Sequence, residues 1–489
     1  MIAAPRAHVL AVMSACLFAG PMLAAGQSYR GWAGTSVQMI ELRPFGLDTV
    51  PRGDVVTDAE GHLTYLGNKV TCQTSQICTG FRPLPEDRTL VASQDLSLTF
   101  WGFGVEGLSF TTLLRGRAHM GGDAFWPRQD DQFDAILGYA QLSRGAFRFR
   151  AGRQDLRSGL GFNGFDGVSG SFDRDRFRAE AYGGVSLARG LREPANDALS
   201  GLDDFLLDYG TYLMGASTTV RHFGTSLTAR YHREFLSDRS SLVGERASVD
   251  FTTVMPRFRV SGSADYDFSF EQLGKAHLTV SSPLAGGHWL LEVSGRRYVP
   301  YFELSTIWGF FEPVSYTELL VRAGWSPSAR LGIRMAGGWR NYGDTGTPIV
   351  LAPLSDTGWR ADLGASYQID DEWALDARYQ LEWVPGAFLS TADVSARYKA
   401  TERLTASASV TTFQQIEEFR LGDGRAWGLG ASGDYRFRED ASVSGGLSTI
   451  RHQGGDDVFT SQWNQTRAWM SLRFDIGRDP GLANRGSRP

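Results

Sequence analysis

Arginine recurs at alternate positions along this chain: Arg115 with Arg117, Arg148 with Arg150, Arg176 with Arg178, Arg257 with Arg259, and also at Arg230, Arg246, Arg322, Arg334, Arg360, Arg378 and Arg397. A guanidinium keeps its charge at every accessible pH and grips carboxylate or phosphate through paired hydrogen bonds. A row of them on one surface therefore suits the binding or conduction of anions. The opposing charges are present on similar segments, as Glu180, Asp250, Asp265, Asp362, Asp376 and Glu382. Two readings stay open: a selective cationic wall, or a ladder of cross-strand ion pairs that stiffens without transport preference.

Other chemistry is sparse. Cys72 and Cys78 in VTCQTSQICTG have only His62 nearby, too few ligands for zinc, and in an exported chain they are expected to close a small disulfide loop. The eight His are scattered, and no Ser, His and acid share a spacing that suggests one site. No glycine-rich phosphate loop ending in Lys-Ser/Thr occurs. The expectation is a protein that is not an enzyme and uses no cofactor or metal. With 49 basic and 54 acidic residues, a net charge of -5 and a pI near 6.0, there is no basic footprint for nucleic acid.

The elements that would position the arginines are strands. From about Gln94 onward the chain alternates with period two. Trp373, Leu375, Ala377, Tyr379, Leu381 and Trp383 form one face, and Asp376, Arg378, Gln380 and Glu382 belong to the other. The same split recurs around Trp359 to Ile369, Phe258 to Phe268 and Trp427 to Phe437. A soluble sandwich alternates too. These segments, however, run 10 to 14 residues, long enough to cross a bilayer obliquely, and their apolar faces begin or end in Trp, Tyr or Phe. Connections alternate short and long. Short turns are expected near Val105-Glu106, Ser143 to Gly145, Asp173 to Asp175, Phe223-Gly224, Pro256, Ala285-Gly286, Ser326-Pro327, Asp370-Asp371, Thr401-Glu402 and Glu439-Asp440.

This reading predicts an all-β, antiparallel up-and-down transmembrane β-barrel of about 22 strands, within a range of 18 to 24. Residues 1–25 have the apolar run and small-residue exit of a secretory signal peptide. Residues 26–91 hold a first strand, read at Ser36 to Leu42, and a Cys-containing loop or lid with a hairpin from about Leu63 to Val70. Residues 92–477 form the barrel, and 478–489 a C-terminal tail. The segment from 44 to 91 is too short for the folded plug that fills other 22-stranded transporters.

The alternation puts Arg115, Arg117, Arg148, Arg150, Arg176, Arg178, Arg259, Arg360 and Arg378 on the lumen side. The aromatic run Tyr301, Phe302, Trp308, Phe310 and Phe311 falls in a mouth loop, where it would stack on sugars or simply fold against the rim. Gly152, Gly159, Gly161, Gly164 and Gly167 would let an outer loop fold inward and narrow the pore, or serve as ordinary turn punctuation.

One stretch resembles the alginate-export family of outer-membrane barrels: Tyr139 to Leu142, then Gly152-Arg153-Gln154-Asp155, then Phe165-Asp166-Gly167-Val168. The resemblance implies export of an anionic polysaccharide through an Arg-lined lumen, with periplasmic export proteins as partners. The chain departs from that family in reading as more strands and in carrying the Cys segment. The expectation is a passive channel of the bacterial outer membrane, embedded in its lipids and passing small anionic solutes or an acidic polymer. The alternative is a non-conducting barrel that docks other members of an envelope assembly.

Overall fold

The computed structural model describes residues 28–42, 45–57, 61–65, 68–72, 76–83, 87–121, 133–187, 211–236, 242–299, 315–342, 357–384, 387–418, 424–454 and 463–478. The signal segment, the tail beyond 478 and the mouth aromatics Tyr301, Phe302, Trp308, Phe310 and Phe311 lie outside them. Twenty-two antiparallel strands close into one barrel in which every neighbour is the next barrel strand along the chain. Closure joins the first strand, Ser28–Leu42, to the last, Trp463–Arg478, from Tyr29 opposite Arg478 to Ile40 opposite Arg467. The first strand starts eight residues before the expected Ser36, because Tyr29 to Thr35 pairs continuously with Asp87–Trp101 despite Gly31 and Gly34.

Alternation decides what faces out. Leu363, Leu375, Tyr379, Leu447 and Met470 are all exposed on the outer surface, with relative exposures between 40% and 57%. So much contiguous apolar surface is stable only against hydrocarbon. Aromatic rings close both edges of that band. At the short-turn end Trp373 stacks on Tyr398 at 4.4 Å and Trp289 on Trp325 at 5.6 Å. At the other end Trp383 lies 6.1 Å from Trp359 and 5.4 Å from Phe388. Trp373 and Trp383 are ten residues apart on one strand, which at ~3.3 Å per residue and ~40° of tilt spans about 25 Å, the height of a membrane-facing band.

All ten expected short turns lie at one end, the periplasmic end by the usual asymmetry of such barrels. One is displaced. The strand Tyr316–Ser328 runs through Ser326-Pro327 on a register shift and turns only at Ala329-Arg330. The insert between the first two barrel strands rises from the opposite, outer end. It holds two three-stranded sheets, Phe45–Pro51 with Ile77–Pro83 and Thr71–Cys72, and Val56–Thr57 with Leu63–Tyr65 and Asn68–Lys69. In the second sheet, Tyr65 opposite Asn68 forms the expected hairpin. Cys72 and Cys78 face each other across the first sheet and form the disulfide, with Cys78 and Val50 buried as its small core.

Candidate functional site

The lumen face carries the arginines, and most of them meet carboxylates. Arg115 grips Asp95 through Nε at 2.7 Å and Nη2 at 3.0 Å. Arg178 donates to Glu180 at 3.2 Å, Arg378 to Asp362 at 2.7 Å and Arg334 to Asp376 at 3.5 Å. Arg230 pairs with Asp250, Arg246 with Asp265, and Arg340 with Glu382. All six acids read from the sequence therefore hold an arginine. Arg150 donates to Gln141 at 2.7 Å and lies 5.1 Å from the Tyr139 ring. Arg117, Arg148 and Arg259 carry no carboxylate partner among the described residues. Arg176 lies in a periplasmic turn, not a strand, with its guanidinium 3.3 Å from His222 Nδ1.

Arg360 joins a cluster that alternation alone does not reveal. Its Nε lies 3.1 Å from Glu318, whose fully buried carboxylate also meets Arg296 at 2.6 Å and Arg340 at 2.8 Å. The Arg296 and Arg340 guanidiniums sit 5.2 and 5.3 Å from the Tyr316 ring. The cluster lies near the outer end of five adjacent strands. Its three cations share Glu318, and Glu382 adds the second negative charge.

The lumen is interrupted by a hairpin. The strands Phe147–Ser158 and Gly161–Arg174 pair with each other to the tip, Ser158 opposite Gly161. Pairing with the preceding strand stops at Gly138 opposite Arg153, and with the following one at Phe165 opposite Ser186. Above those points residues 155–163 leave the wall. The departure is made at aligned glycines: Gly152 opposite Gly167, and Gly167 opposite Gly184. A Cβ at these positions would come within 2.3, 2.1 and 2.3 Å of carbonyl oxygens of neighbouring strands, and Gly152 adopts φ +122°. Only glycine permits backbones to approach so closely and crease.

Polar contacts fix the crease. Arg153 binds Asp166 with two bonds of 2.8 Å and donates at 2.9 Å to the carbonyl of Ala135, on the strand the hairpin has left. Gln154, nearly fully buried, accepts from Ser169 at 2.6 Å and donates to the Gly167 carbonyl at 3.1 Å. Gly152-Arg153-Gln154 and Phe165-Asp166-Gly167, distant in sequence, are thus register partners at the hairpin base.

The tip crosses the inside of three neighbouring strands. Arg246 donates to the Leu160 carbonyl at 3.0 Å, and Leu160 is buried. A Cβ on Gly159 would lie 3.3 Å from both Arg230 Nη1 and Asp250 Oδ1. Beneath the hairpin is a chamber of about 320 Å³ whose lining includes Arg157, Arg178, Glu180, Tyr182, Arg221 and Arg230. Tyr182 packs on Phe165 at 5.7 Å and shares a hydrogen bond of 3.0 Å with His232 Nδ1. Gly215 leaves the space the Tyr182 phenol occupies. The sequence offered Arg178, Arg230 and Glu180 as lumen residues; Tyr182, Arg221 and Arg157 join them only through the fold.

No protein-family model matches the chain, and no curated protein matches it. Among solved structures, the siderophore receptor PirA from Pseudomonas aeruginosa is similar over 91% of this chain and 80% of its own, with 14% identity and a TM-score of 0.50. A mutant of the ferric enterobactin receptor PfeA from the same organism matches at 12% identity and a TM-score of 0.48, over 91% of this chain and 80% of that one. A BenF-like porin from Pseudomonas fluorescens Pf-5 matches at 9% identity and a TM-score of 0.41, over 92% and 99%. The PirA likeness agrees with the barrel in fold.

The chain is an outer-membrane β-barrel. Its apolar band and twin aromatic edges place it in the bacterial outer membrane. No helix among the described residues is long and apolar enough to cross a membrane, which says nothing of strands.

Proposed function

We propose that this barrel is a passive channel for anions, carrying small acidic solutes or an acidic polysaccharide past the inward hairpin. The observation that supports it is the chamber under that hairpin, where Arg157, Arg178, Arg221 and Arg230 converge on the lumen. Their ion pairs with Asp155, Glu180, Asp173 and Asp250 hold the guanidiniums in place while leaving N–H donors for a passing carboxylate. Arg117, Arg148 and Arg259, without carboxylate partners among the described residues, tip the wall toward positive potential. The resemblance of the crease residues to the alginate-export family favours a polymeric substrate, handed over by a periplasmic partner. Movement is diffusive or driven from outside the chain, and no catalysis is invoked.

Purified protein in a planar bilayer under a KCl gradient tests the reading: a reversal potential of anionic sign is expected, and a cation preference overturns it. A second reading, a non-conducting docking barrel, is favoured by the outer insert, where Leu47, Val56 and Ile77 stand exposed on a disulfide-braced scaffold. Absence of current from correctly folded protein would select it.

A further inference from the structure

A second polar site faces away from the lumen. It spans five adjacent strands around the closure: Gly424–Arg438, Ala441–Gly454, Trp463–Arg478, Ser28–Leu42 and Asp87–Trp101. On the first three, the lipid-facing side is marked by the exposed Leu429, Leu447 and Met470. Period two then places Trp427, Thr449, Arg451, Asn464 and Thr466 on that same outward side, above those apolar residues and near the outer ends of their strands. Register aligns Trp427 with Arg451 and Arg451 with Asn464, and beside them Thr449 with Thr466. Thr466 hydrogen-bonds Glu41, which accepts from Arg88 at 2.8 Å. Together these seven side chains line an outward groove of about 460 Å³.

Such a groove is out of place against acyl chains, which offer no partner to a guanidinium, an amide or two hydroxyls. It lies where headgroups begin, level with the indole of Trp427. Its donors suit an oxyanion: Arg451 has no carboxylate partner among the described residues, Asn464 stands opposite it and Thr449 two residues along the same strand, while the single hydroxyl proton of Thr466 goes to Glu41. Glu41 neutralises Arg88 and fixes its orientation, which leaves the groove with one net positive charge. An indole beside these donors offers a stacking face for a sugar ring.

We propose that this groove binds the phosphorylated sugar headgroup of an outer-leaflet glycolipid, with Arg451 and Arg88 on the phosphate and Trp427 against the ring. The site is independent of what the lumen carries. The size of the groove falls within the usual range of small-molecule sites.

The test uses the full chain in detergent, freed of glycolipid and titrated with bisphosphorylated lipid A while complexes are counted by native mass spectrometry. Arg451→Gln should weaken binding about tenfold, the loss of one hydrogen-bonded charged partner. Asn464→Asp, which sets a carboxylate against the phosphate, should weaken it as much. Heat-modifiable gel mobility identifies folded protein, and bilayer conductance should be unchanged in both variants. Equal binding by wild type and both folded variants overturns the proposal. So does equal binding of dephosphorylated lipid A, which would make the site a sugar or acyl site. Displacement by inorganic phosphate at concentrations equal to the lipid would make it a site for soluble phosphate and overturn the lipid assignment.

Discussion

Replacing residues 155–163 with an Asn-Gly turn should remove the obstruction from the lumen without changing its charge balance. The expected size follows from the geometry. Twenty-two strands spaced ~4.8 Å apart and tilted ~40° enclose a backbone circle about 44 Å across. Lining side chains project about 5 Å from each wall, half the ~10 Å between packed sheets, which leaves a lumen roughly 34 Å wide and about 900 Å² in section. From Arg153 to Leu160 the hairpin reaches about 23 Å at ~3.3 Å per residue, and two strands with their side chains are ~10 Å wide. It therefore covers about a quarter of the section, and its removal should raise single-channel conductance about 1.3-fold, since conductance follows free area in a wide pore. The excised segment contains Asp155 and Arg157, which pair at 3.7 Å. The reversal potential should accordingly stay where it was. The assay is single-channel recording at high salt, where wall charges are screened. Unchanged or lower conductance from a folded, heat-modifiable variant would refute the placement of the hairpin in the permeation path.

Other outcomes are equally definite. Gly167→Val forces a Cβ to within 2.1 Å of the Gly183 carbonyl; overpacking of this kind costs about 1–3 kcal/mol, read as a lower temperature for the gel-mobility transition. Glu318→Gln leaves Arg296, Arg340 and Arg360 without their shared counter-charge, a loss of about 3–5 kcal/mol for a broken buried pair. The same recording should show stronger anion preference, and a shift toward cations would contradict the cluster's geometry. Replacing Arg117, Arg148 and Arg259 together with Gln should move the reversal potential toward zero while conductance holds. Cys72→Ser with Cys78→Ser opens a short loop worth about 2 kcal/mol. Limited proteolysis should then cut within 45–83 sooner, while the barrel's mobility transition stays in place.

Much of this architecture is legible in the chain because a barrel strand is a local object. The period-two face from Trp373 to Trp383 needs no partner to be recognised, and turn residues such as Asp370-Asp371 and Phe223-Gly224 mark where strands reverse. The misplaced turn at Ser326-Pro327 shows the limit, since a register shift carries that strand past its proline. The beginning of the first strand was hidden because Gly31 and Gly34 blur its alternation. The site is less legible because it is non-local. Glycines 152, 159, 161, 164 and 167 signal an outer loop able to fold inward or ordinary turn punctuation; what selects the inward course is Gly184 and Arg246 reaching Leu160 from four strands away, neither of them local to that segment. The Glu318 cluster gathers Arg296, Arg340 and Arg360 from three other strands, and no spacing along one segment announces that. The outward groove likewise needs the first and last strands to be neighbours before Glu41 and Thr466 can meet.

That neighbourhood has a practical corollary. Because Tyr29 stands opposite Arg478 at the periplasmic rim, a brief linker from Ser28 to Arg478 would make the polypeptide circular in all but one break. New ends cut at an outer connection such as 385–386 would leave each hydrogen-bonded ladder whole. Such a permutant should still insert and bar the same solutes, with its chain ends now displayed to the outside of the cell.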